Sequence, residues 1–267
     1  MRLKPGAQSV ITGAGSGLGR ALALSLARRG GRLTITDVNL DGAEETASLA
    51  RAAGAAEATV HRCDVTRPEE VAALSDAIRG PIDLVVNNAG VTSAGRIGEL
   101  SLEAWRWTIE VDLFGVIHGC HTFVPRLRAQ GHGHVLNVAS AAGLVYAPEM
   151  AAYCAAKAGV VAISESLAAE LIGSGVGVTV LCPTFLKTDL LKTGQFASTE
   201  SRRTAEKLMS RGKDADFVAE AALRSVEAGE LHSIPMADGR LFWRLRRLAP
   251  RTFVSLAARF ARLVSQP

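Results

Sequence analysis

The chain is poor in the features that build disulfide scaffolds, metal centres and membrane spans. Its 267 residues include four cysteines without a CxxC spacing, so we expect reduced thiols that pack as small apolar side chains. No apolar run approaches the roughly 18 residues that a transmembrane helix needs. Residues 1–6 carry two charges and no apolar segment follows them, so we expect no secretory signal. These absences predict a cytoplasmic protein with no metal site.

Acidic residues are missing from one part of the chain. Between Arg240 and Pro267 there are seven arginines and no aspartate or glutamate, whereas the first 239 residues carry 23 basic and 26 acidic side chains. The formal charge of +4 therefore comes from this basic tail, and the remainder is mildly acidic. The distribution argues against a nucleic-acid-binding domain, in which basic residues would cover one face of the folded body.

The basic tail has the pattern of an amphipathic helix. Between Thr252 and Ser265, apolar residues recur at intervals of three and four, and arginines project from the opposite side. One interpretation is an apolar stripe that packs on the body or on another subunit. The other is peripheral contact of residues 240–267 with an anionic membrane.

Short β-branched segments alternate with longer helical segments along the rest of the chain. This order predicts an α/β fold of the Rossmann type, with a doubly wound parallel sheet in one domain over residues 1–239. Residues 184–212 interrupt the alternation and are long enough to form a lid with helical turns of its own. We also expect one helix from Leu102 to Leu127, bent or restarted near Pro125.

A glycine-rich turn follows the first predicted strand. Residues 12–19 read TGAGSGLG and lead directly into a helix. Glycine tolerates positive φ and lets the backbone approach a ligand, while a helix N-terminus offers N–H groups to a pyrophosphate. Asp37 ends the second predicted strand, where a carboxylate can bind the adenosine ribose hydroxyls. Because its charge would repel a 2′-phosphate, we predict NAD rather than NADP.

Tyr153 and Lys157 are four residues apart on a predicted helix, which places them on one face. A free phenol titrates near pH 10, too high for acid–base work at neutral pH. An ammonium about 5 Å away, at an effective dielectric constant of ~20, favours the phenolate by roughly 3 kcal/mol, or about two pKa units. Ser140, at the end of a predicted strand, can orient a substrate oxygen. The alternative is an ordinary amphipathic helix face, although the chain has only two tyrosines.

Together these motifs resemble the short-chain dehydrogenase/reductase family. The matching segments, in the family's order, are TGAGSGLG (12–19), Asp37, CDV (63–65), NNAG (87–90), Ser140, YCAAK (153–157), and Pro183 with Thr188. The resemblance implies hydride transfer between a nicotinamide cofactor and a secondary alcohol or ketone, with Ser140, Tyr153 and Lys157 as the catalytic set. It also implies a homodimer or homotetramer formed through the helices at 102–127 and 150–172. The cofactor-binding residues implied are Gly13, Ser16, Gly17, Leu18, Gly19, Asp37, Asp64, Val65, Asn88, Tyr153, Lys157, Pro183 and Thr188.

The chain departs from the family pattern at Asp112. In the family, an asparagine in a V-N-L-x-G pattern helps to hold a helix distortion and a water in a proton relay to the lysine, whereas this chain has aspartate. An ionised aspartate accepts hydrogen bonds but cannot donate one. We favour a tolerated near-isostere, and the alternative is an altered catalytic relay. His118, Cys120 and His121 lie nearby, but they are a poor zinc set and fit a helix surface or interface better.

The segments expected to line the substrate pocket are mostly apolar. They comprise residues 144–150, residues 185–191 and the lid around Phe196. This composition predicts a hydrophobic alcohol or ketone, such as a steroid-like, terpenoid or long aliphatic compound. Two other functions remain open: a dinucleotide-binding sensor or scaffold without turnover, and a membrane-surface module that acts through the basic tail.

Overall fold

The computed structural model describes residues 3–187, 189–210 and 212–264. Its centre is a seven-stranded sheet in which every pairing is parallel, with the strand order β7-β6-β5-β4-β1-β2-β3. This architecture confirms the predicted Rossmann-type fold. The strands are β1 (Gln8–Thr12), β2 (Arg32–Asp37), β3 (Glu57–Arg62), β4 (Leu84–Asn87), β5 (Gly133–Val138), β6 (Val176–Leu181) and β7 (His232–Ser233).

Helices cover both faces of the sheet because its central strands are apolar on both sides. In β1, the neighbouring residues Val10 and Ile11 are both fully buried, but they belong to two different apolar clusters on opposite faces. The helices are α1 (Gly17–Ala27), α2 (Leu40–Ala52), α3 (Pro68–Ala77), α4 (Leu102–Ile109), α5 (Gly115–Gln130), α6 (Ala151–Glu170), α7 (Thr199–Met209), α8 (Ala215–Ala228), α9 (Ala237–Leu248) and α10 (Pro250–Val264).

The helix predicted over 102–127 is interrupted earlier than expected. A single π-helical turn at Glu110–Phe114 separates α4 from α5, whereas Pro125 lies inside α5 without ending it. The predicted restart near Pro125 was therefore wrong, because the chain stays helical through that residue. Proline identity is visible in a sequence, but a π-turn depends on the tertiary contacts of its side chains, and here Asp112 in the turn binds the backbone of another segment.

The segment predicted as a lid contains short strands and one helix. Gln195–Phe196 pairs with Ser93–Ala94, and Leu186–Lys187 pairs with Lys213–Asp214. Helix α7 lies between these two pairings in sequence. The segment is therefore tied at both ends to the body and stands above the carboxyl edge of the sheet.

The basic tail forms two helices rather than one. Helix α9 begins at Ala237, before the predicted start of the tail at residue 240, and α10 follows after Ala249. Trp243 in α9 packs against the apolar cluster that also contains Phe123 and Val160. The first tail helix is thus docked on the body.

Candidate active site

The candidate site lies at the carboxyl edge of the sheet, where β1 and β4 are neighbours. The chain leaves β1 toward one side of the sheet and β4 toward the other, which is where open parallel sheets bind ligands. Asn88, just after β4, holds the two ends together through hydrogen bonds from its Nδ2 to the carbonyls of Thr12 and Gly13, both 2.9 Å long. The predicted cofactor turn is therefore fixed to the neighbouring loop.

The glycines of the turn meet requirements that no other residue satisfies. Gly13 and Gly17 have φ values of +63° and +53°. A methyl group on Gly13 would lie 2.5 Å from the Cα of Ala89, and one on Gly19 would lie 2.2 Å from the carbonyl oxygen of Gly13. Any side chain at these positions would displace backbone, so the sequence TGAGSGLG shapes an open cradle.

The N-terminus of α1 is suited to an anionic group. Ser16 occupies the N-cap position in an extended conformation, and its side chain makes no capping hydrogen bond. The first turn of α1 contains no acidic residue. Free N–H groups and the partial positive charge of the helix end are therefore left for a pyrophosphate, and the cradle fits the predicted dinucleotide.

Asp37 is positioned by the turn that it faces. Its Oδ2 accepts a hydrogen bond from the Gly15 N–H at 2.8 Å, and its Oδ1 accepts one from the Asn39 N–H at 2.9 Å. Arg20 also lies at this turn, where its Nη2 donates to the Gly15 carbonyl at 2.7 Å and pairs with Glu45 Oε2. Asp37 therefore places a negative charge against the glycine turn, while the charge of Arg20 is paired with Glu45.

The remaining predicted cofactor residues are distributed around the same edge. Asp64 Oδ1 accepts hydrogen bonds from the N–H and hydroxyl of Thr66, and the carbonyl of Val65 contacts His118 Nδ1 at 2.8 Å. Pro183, directly after β6, accepts a hydrogen bond from the Ala141 N–H at 2.8 Å. The predicted residue Thr188 lies outside the described residues.

Ser140 and Tyr153 meet beside this cradle. Ser140 follows β5 and accepts a hydrogen bond from the Ala142 N–H at 3.1 Å, which begins a short 3₁₀ turn. Tyr153 lies in the first turn of α6 and is buried, and the Ser140 hydroxyl acts to lower its pKa. Two residues from separate elements therefore bring their side chains to one place.

Lys157 forms a buried ion pair that the sequence did not reveal. Its Nζ lies 3.4 Å from Asp112 Oδ2 and 3.3 Å from the carbonyl of Val138, and 5.6 Å from the Tyr153 ring centroid. Asp112 is fully buried, and its Oδ1 accepts the Val91 N–H at 2.7 Å. Burial raises the pKa of Asp112, and the charge of Lys157 opposes that rise.

The pKa of Tyr153 is shifted in the opposite direction to the one predicted. Burial raises the pKa of the phenol, the charge of Asp112 raises it further, and the hydrogen bond from Ser140 lowers it. The prediction that Lys157 brings the pKa of Tyr153 below its usual value was therefore wrong, chiefly because burial of the phenol raises that pKa and secondly because the charge of Asp112 lies beside the ammonium. An asparagine would contribute no such charge.

The suspected histidine–cysteine group is dispersed. His118 contacts the Val65 carbonyl, whereas Cys120 is buried 3.6 Å from Asn87 Nδ2. Among the described residues, no three of the side chains that commonly bind metals form a cluster. None of the helices formed by the described residues is long and apolar enough to cross a membrane.

Comparison with protein families aligns residues 8–197 with the short chain dehydrogenase family. The alignment includes the glycine turn, Ser140, Tyr153 and Lys157. The chain belongs to the short-chain dehydrogenase family. The family's fold is the one observed here, and the glycine turn, Asp37 and the NNAG segment meet at the carboxyl edge of the sheet.

Individual relatives agree with this assignment. A crystal structure of a short chain dehydrogenase/reductase from Burkholderia phymatum in complex with NAD superimposes with a TM-score of 0.87, at 34% identity over 92% of this chain and 95% of that one. D-threitol dehydrogenase of Mycolicibacterium smegmatis is 40% identical over 69% of this chain and 72% of its own. Mouse epidermal retinol dehydrogenase 2 is 35% identical over 68% of this chain and 61% of its own.

Two residues near this dehydrogenase site were missed by the sequence analysis. Glu149 precedes α6 and has a φ of +65°, and its carboxylate contacts Arg96 at 3.3 Å and the lid residue Ser201 at 3.5 Å. Arg246 in α9 donates to the carbonyl of Leu144 at 2.6 Å. Neither belongs to a recognisable motif, because both act through contacts between distant segments.

Proposed function

We propose that this protein is an NAD-dependent oxidoreductase that interconverts a secondary alcohol and its ketone. The observation that carries the proposal is the junction of Ser140, Tyr153 and Lys157 beside the glycine cradle. Lys157 Nζ lies 5.6 Å from the Tyr153 ring, and the Ser140 hydroxyl acts to lower the pKa of the phenol. An acid–base group, an orienting hydroxyl and a buried cation thus surround one point next to a dinucleotide cradle.

Each side chain has a distinct task in this reaction. Tyr153 takes the hydroxyl proton of the alcohol during oxidation and returns a proton to the oxygen during reduction. Ser140 orients the same oxygen, and Lys157 provides positive charge near the phenolate. The nicotinamide ring, when bound, accepts or donates the hydride.

Tyr153→Phe tests the acid–base role. The variant keeps the aromatic ring and loses the hydroxyl, so turnover should fall by roughly 10²–10⁴-fold, which is the usual worth of a positioned acid–base group. Binding of NAD, measured by calorimetry, should stay nearly unchanged. Tyr146→Phe is the comparison variant, because Tyr146 is the other tyrosine and is 46% exposed. Since Tyr146 belongs to the proposed pocket segment, its variant can change KM but should keep kcat.

Three results would redirect the interpretation. Substantial turnover in Tyr153→Phe would refute the assignment of Tyr153. An equal loss of turnover in Tyr146→Phe would show that the effect is not specific to Tyr153. Tight NAD binding by the wild-type protein, without turnover of any alcohol or ketone, would favour the sensor or scaffold.

The preference for NAD over NADP rests on Asp37. Its carboxylate accepts the N–H groups of Gly15 and Asn39, so it is held where an adenosine ribose would lie. Comparison of kcat/KM with the two cofactors tests this preference. In Asp37→Ser, the ratio of kcat/KM with NAD to kcat/KM with NADP should fall by tenfold or more, because the substitution removes a charge that repels the 2′-phosphate. A wild-type preference for NADPH would overturn the proposal.

We expect the substrate to be hydrophobic. Leu144 is buried and Leu186 is partly buried against the apolar core, while Phe185 remains partly exposed near the predicted pocket. The named relatives differ on this point, since retinol is apolar and threitol is a polar polyol. A screen of secondary alcohols with NAD should give the highest kcat/KM for long aliphatic, terpenoid or steroid-like compounds. Turnover confined to small polyols or charged hydroxy acids would contradict it.

We expect assembly through the helices at 102–127 and 150–172. Leu102 is 66% exposed and Phe114 is also exposed, so both are free to be covered by a second subunit. Light scattering after size exclusion should give the mass of a dimer or tetramer. Leu102→Glu should shift that mass toward the monomer, whereas Ile172→Glu, in the turn after α6, should shift it less.

A further inference from the structure

The C-terminal helices carry an exposed apolar surface. In α9, four large apolar side chains that lie on one side of the helix are all exposed: Leu241, Phe242, Leu245 and Leu248. Leu248 is 84% exposed. In α10, Leu256 is also exposed and lies on the apolar side of the helix, whereas the exposed Val254 lies on the side of the arginines. We call Leu241, Phe242, Leu245, Leu248 and Leu256 the tail apolar surface.

The opposite side of α9 is already occupied by the body. Trp243 packs against the core, with its ring centroid 5.3 Å from that of His232. Arg246 donates to the Leu144 carbonyl at 2.6 Å, and its guanidinium lies 3.9 Å from the Tyr146 ring centroid. With these contacts made, α9 cannot rotate to bury its leucines, so the tail apolar surface faces outward.

Arginines border this surface without any acidic neighbour in the tail sequence. Arg244 lies beside the leucines on α9, Arg247 lies over the Trp243 ring toward the body, and Arg251 and Arg259 lie on α10. All four arginines are exposed. Between residues 240 and 267 there is no aspartate or glutamate. An apolar face bordered by arginines is the arrangement of helices that lie in the plane of a membrane interface.

We infer that α9 and α10 dock this protein on an anionic lipid bilayer, with the tail apolar surface in the acyl boundary and the arginines at the headgroups. A second copy of the chain is a poorer occupant. A two-fold contact would place the same arginines against one another, and the tail has no acidic side chain to pair with them. An anionic bilayer matches both the charge and the apolar area.

Docking in this way bears on how substrate reaches the site. Arg246 ties α9 to Leu144 and Tyr146, and these residues follow Ser140 by only a few positions. The segment that we propose to line the pocket is therefore held against the membrane-facing helix. The link between docking and substrate entry rests on the proposed function, whereas the docking on a bilayer does not.

Vesicle sedimentation of the full-length protein tests the inference without any need for turnover. The vesicles contain phosphatidylcholine alone or with about one third phosphatidylglycerol. Partitioning should be at least tenfold stronger to the anionic vesicles and should fall when the salt is raised to about 0.5 M, where charges are screened within a few ångströms. Because Trp243 is part of the core, point variants are preferable to truncation.

Two double variants separate the charge from the apolar contribution. Arg244→Gln/Arg251→Gln should lower partitioning to anionic vesicles more than tenfold, since each arginine near such a surface is worth about a fivefold effect. Leu241→Asp/Leu248→Asp should remove partitioning altogether. The controls are Arg79→Gln/Arg106→Gln for charge and Ile172→Asp for an exposed apolar residue. Circular dichroism and thermal melting confirm that each variant is folded.

Several outcomes would overturn the inference. Equal partitioning to neutral and anionic vesicles would refute the role of the arginines, and no partitioning would refute docking itself. Leucine variants that only dissociate an oligomer would assign the tail apolar surface to a second copy. Binding to duplex DNA in place of vesicles would assign the arginines to nucleic acid. Loss of turnover in Tyr153→Phe affects none of these readouts, so the two proposals fail independently.

Discussion

Replacing Asp112 with asparagine removes a buried charge beside Lys157 and keeps the shape of the side chain. The charge of Asp112 raises the pKa of Tyr153, so its removal should lower that pKa. We expect Asp112 to be ionised at alkaline pH because the Lys157 ammonium and the Val91 N–H both stabilise its charged form. The variant should then oxidise alcohol at a lower pH than the wild-type enzyme.

The structure bounds the size of this shift. Asp112 Oδ2 lies 3.4 Å from Lys157 Nζ, which lies 5.6 Å from the Tyr153 ring centroid. The carboxylate is therefore within about 9 Å of the ring, and at an effective dielectric constant of about 20 it raises the free energy of the phenolate by about 2 kcal/mol. The pKa of Tyr153 should fall by about one unit or more in Asp112→Asn.

The assay is the pH dependence of kcat/KM for alcohol oxidation, which reports groups of the free enzyme. The ascending limb should move to lower pH by about one unit in Asp112→Asn. Glu110→Gln is the control, because Glu110 lies in the same π-turn but is exposed. An active Asp112→Asn variant with the wild-type profile would refute the reasoning and restore the near-isostere interpretation.

Three further predictions concern stability and binding. Lys157→Met leaves Asp112 without its cation, so the free energy of unfolding in guanidinium at alkaline pH should fall by about 3–5 kcal/mol; adding Asp112→Asn should recover most of it, and no recovery would contradict the pairing. Gly19→Ala would bring a methyl group to 2.2 Å from the Gly13 carbonyl, so Tm should fall and NAD affinity should drop at least tenfold; calorimetry showing wild-type affinity would argue against the cradle. Burial lowers the pKa of His134 from 6.5 to about 4. Between about pH 6.5 and pH 4, His134 is protonated in the unfolded chain but stays neutral in the folded chain. About 3 kcal/mol of stability should therefore be lost as the pH falls through this range. His134→Gln should flatten this dependence in denaturant titrations, and an unchanged slope would count against it.

Much of the fold followed from patterns among near neighbours in sequence. The bounds of β1 and β2 match the prediction, because short β-branched strands ending at glycine or aspartate turns are locally defined. The limits of other elements moved by a few residues. β3 ends at Arg62 although the apolar pattern runs on to Val65, since the length of the strand depends on pairing with β2.

The residues of the candidate site could be predicted from the sequence, whereas the pKa shifts within the site could not. The spacing of Tyr153 and Lys157 placed both on one face of α6, and the geometry agrees. The sequence also showed that Asp112 was unusual, yet it could not show that the carboxylate lies 3.4 Å from Lys157 in a fully buried position. A pKa depends on burial and on every nearby charge, and neither quantity is written in local sequence.

The sequence by itself determined the strand–helix alternation, the glycine turn, the Tyr153–Lys157 spacing and the concentration of arginine in the tail. Each of these is a property of residues that are close along the chain, governed by backbone conformation and helical periodicity. Only the tertiary structure decided that a π-turn directs Asp112 to Lys157, and that Arg246 joins the tail to Leu144. These contacts join distant segments, and their strength depends on distances and burial that exist only once the sheet and its helices have packed.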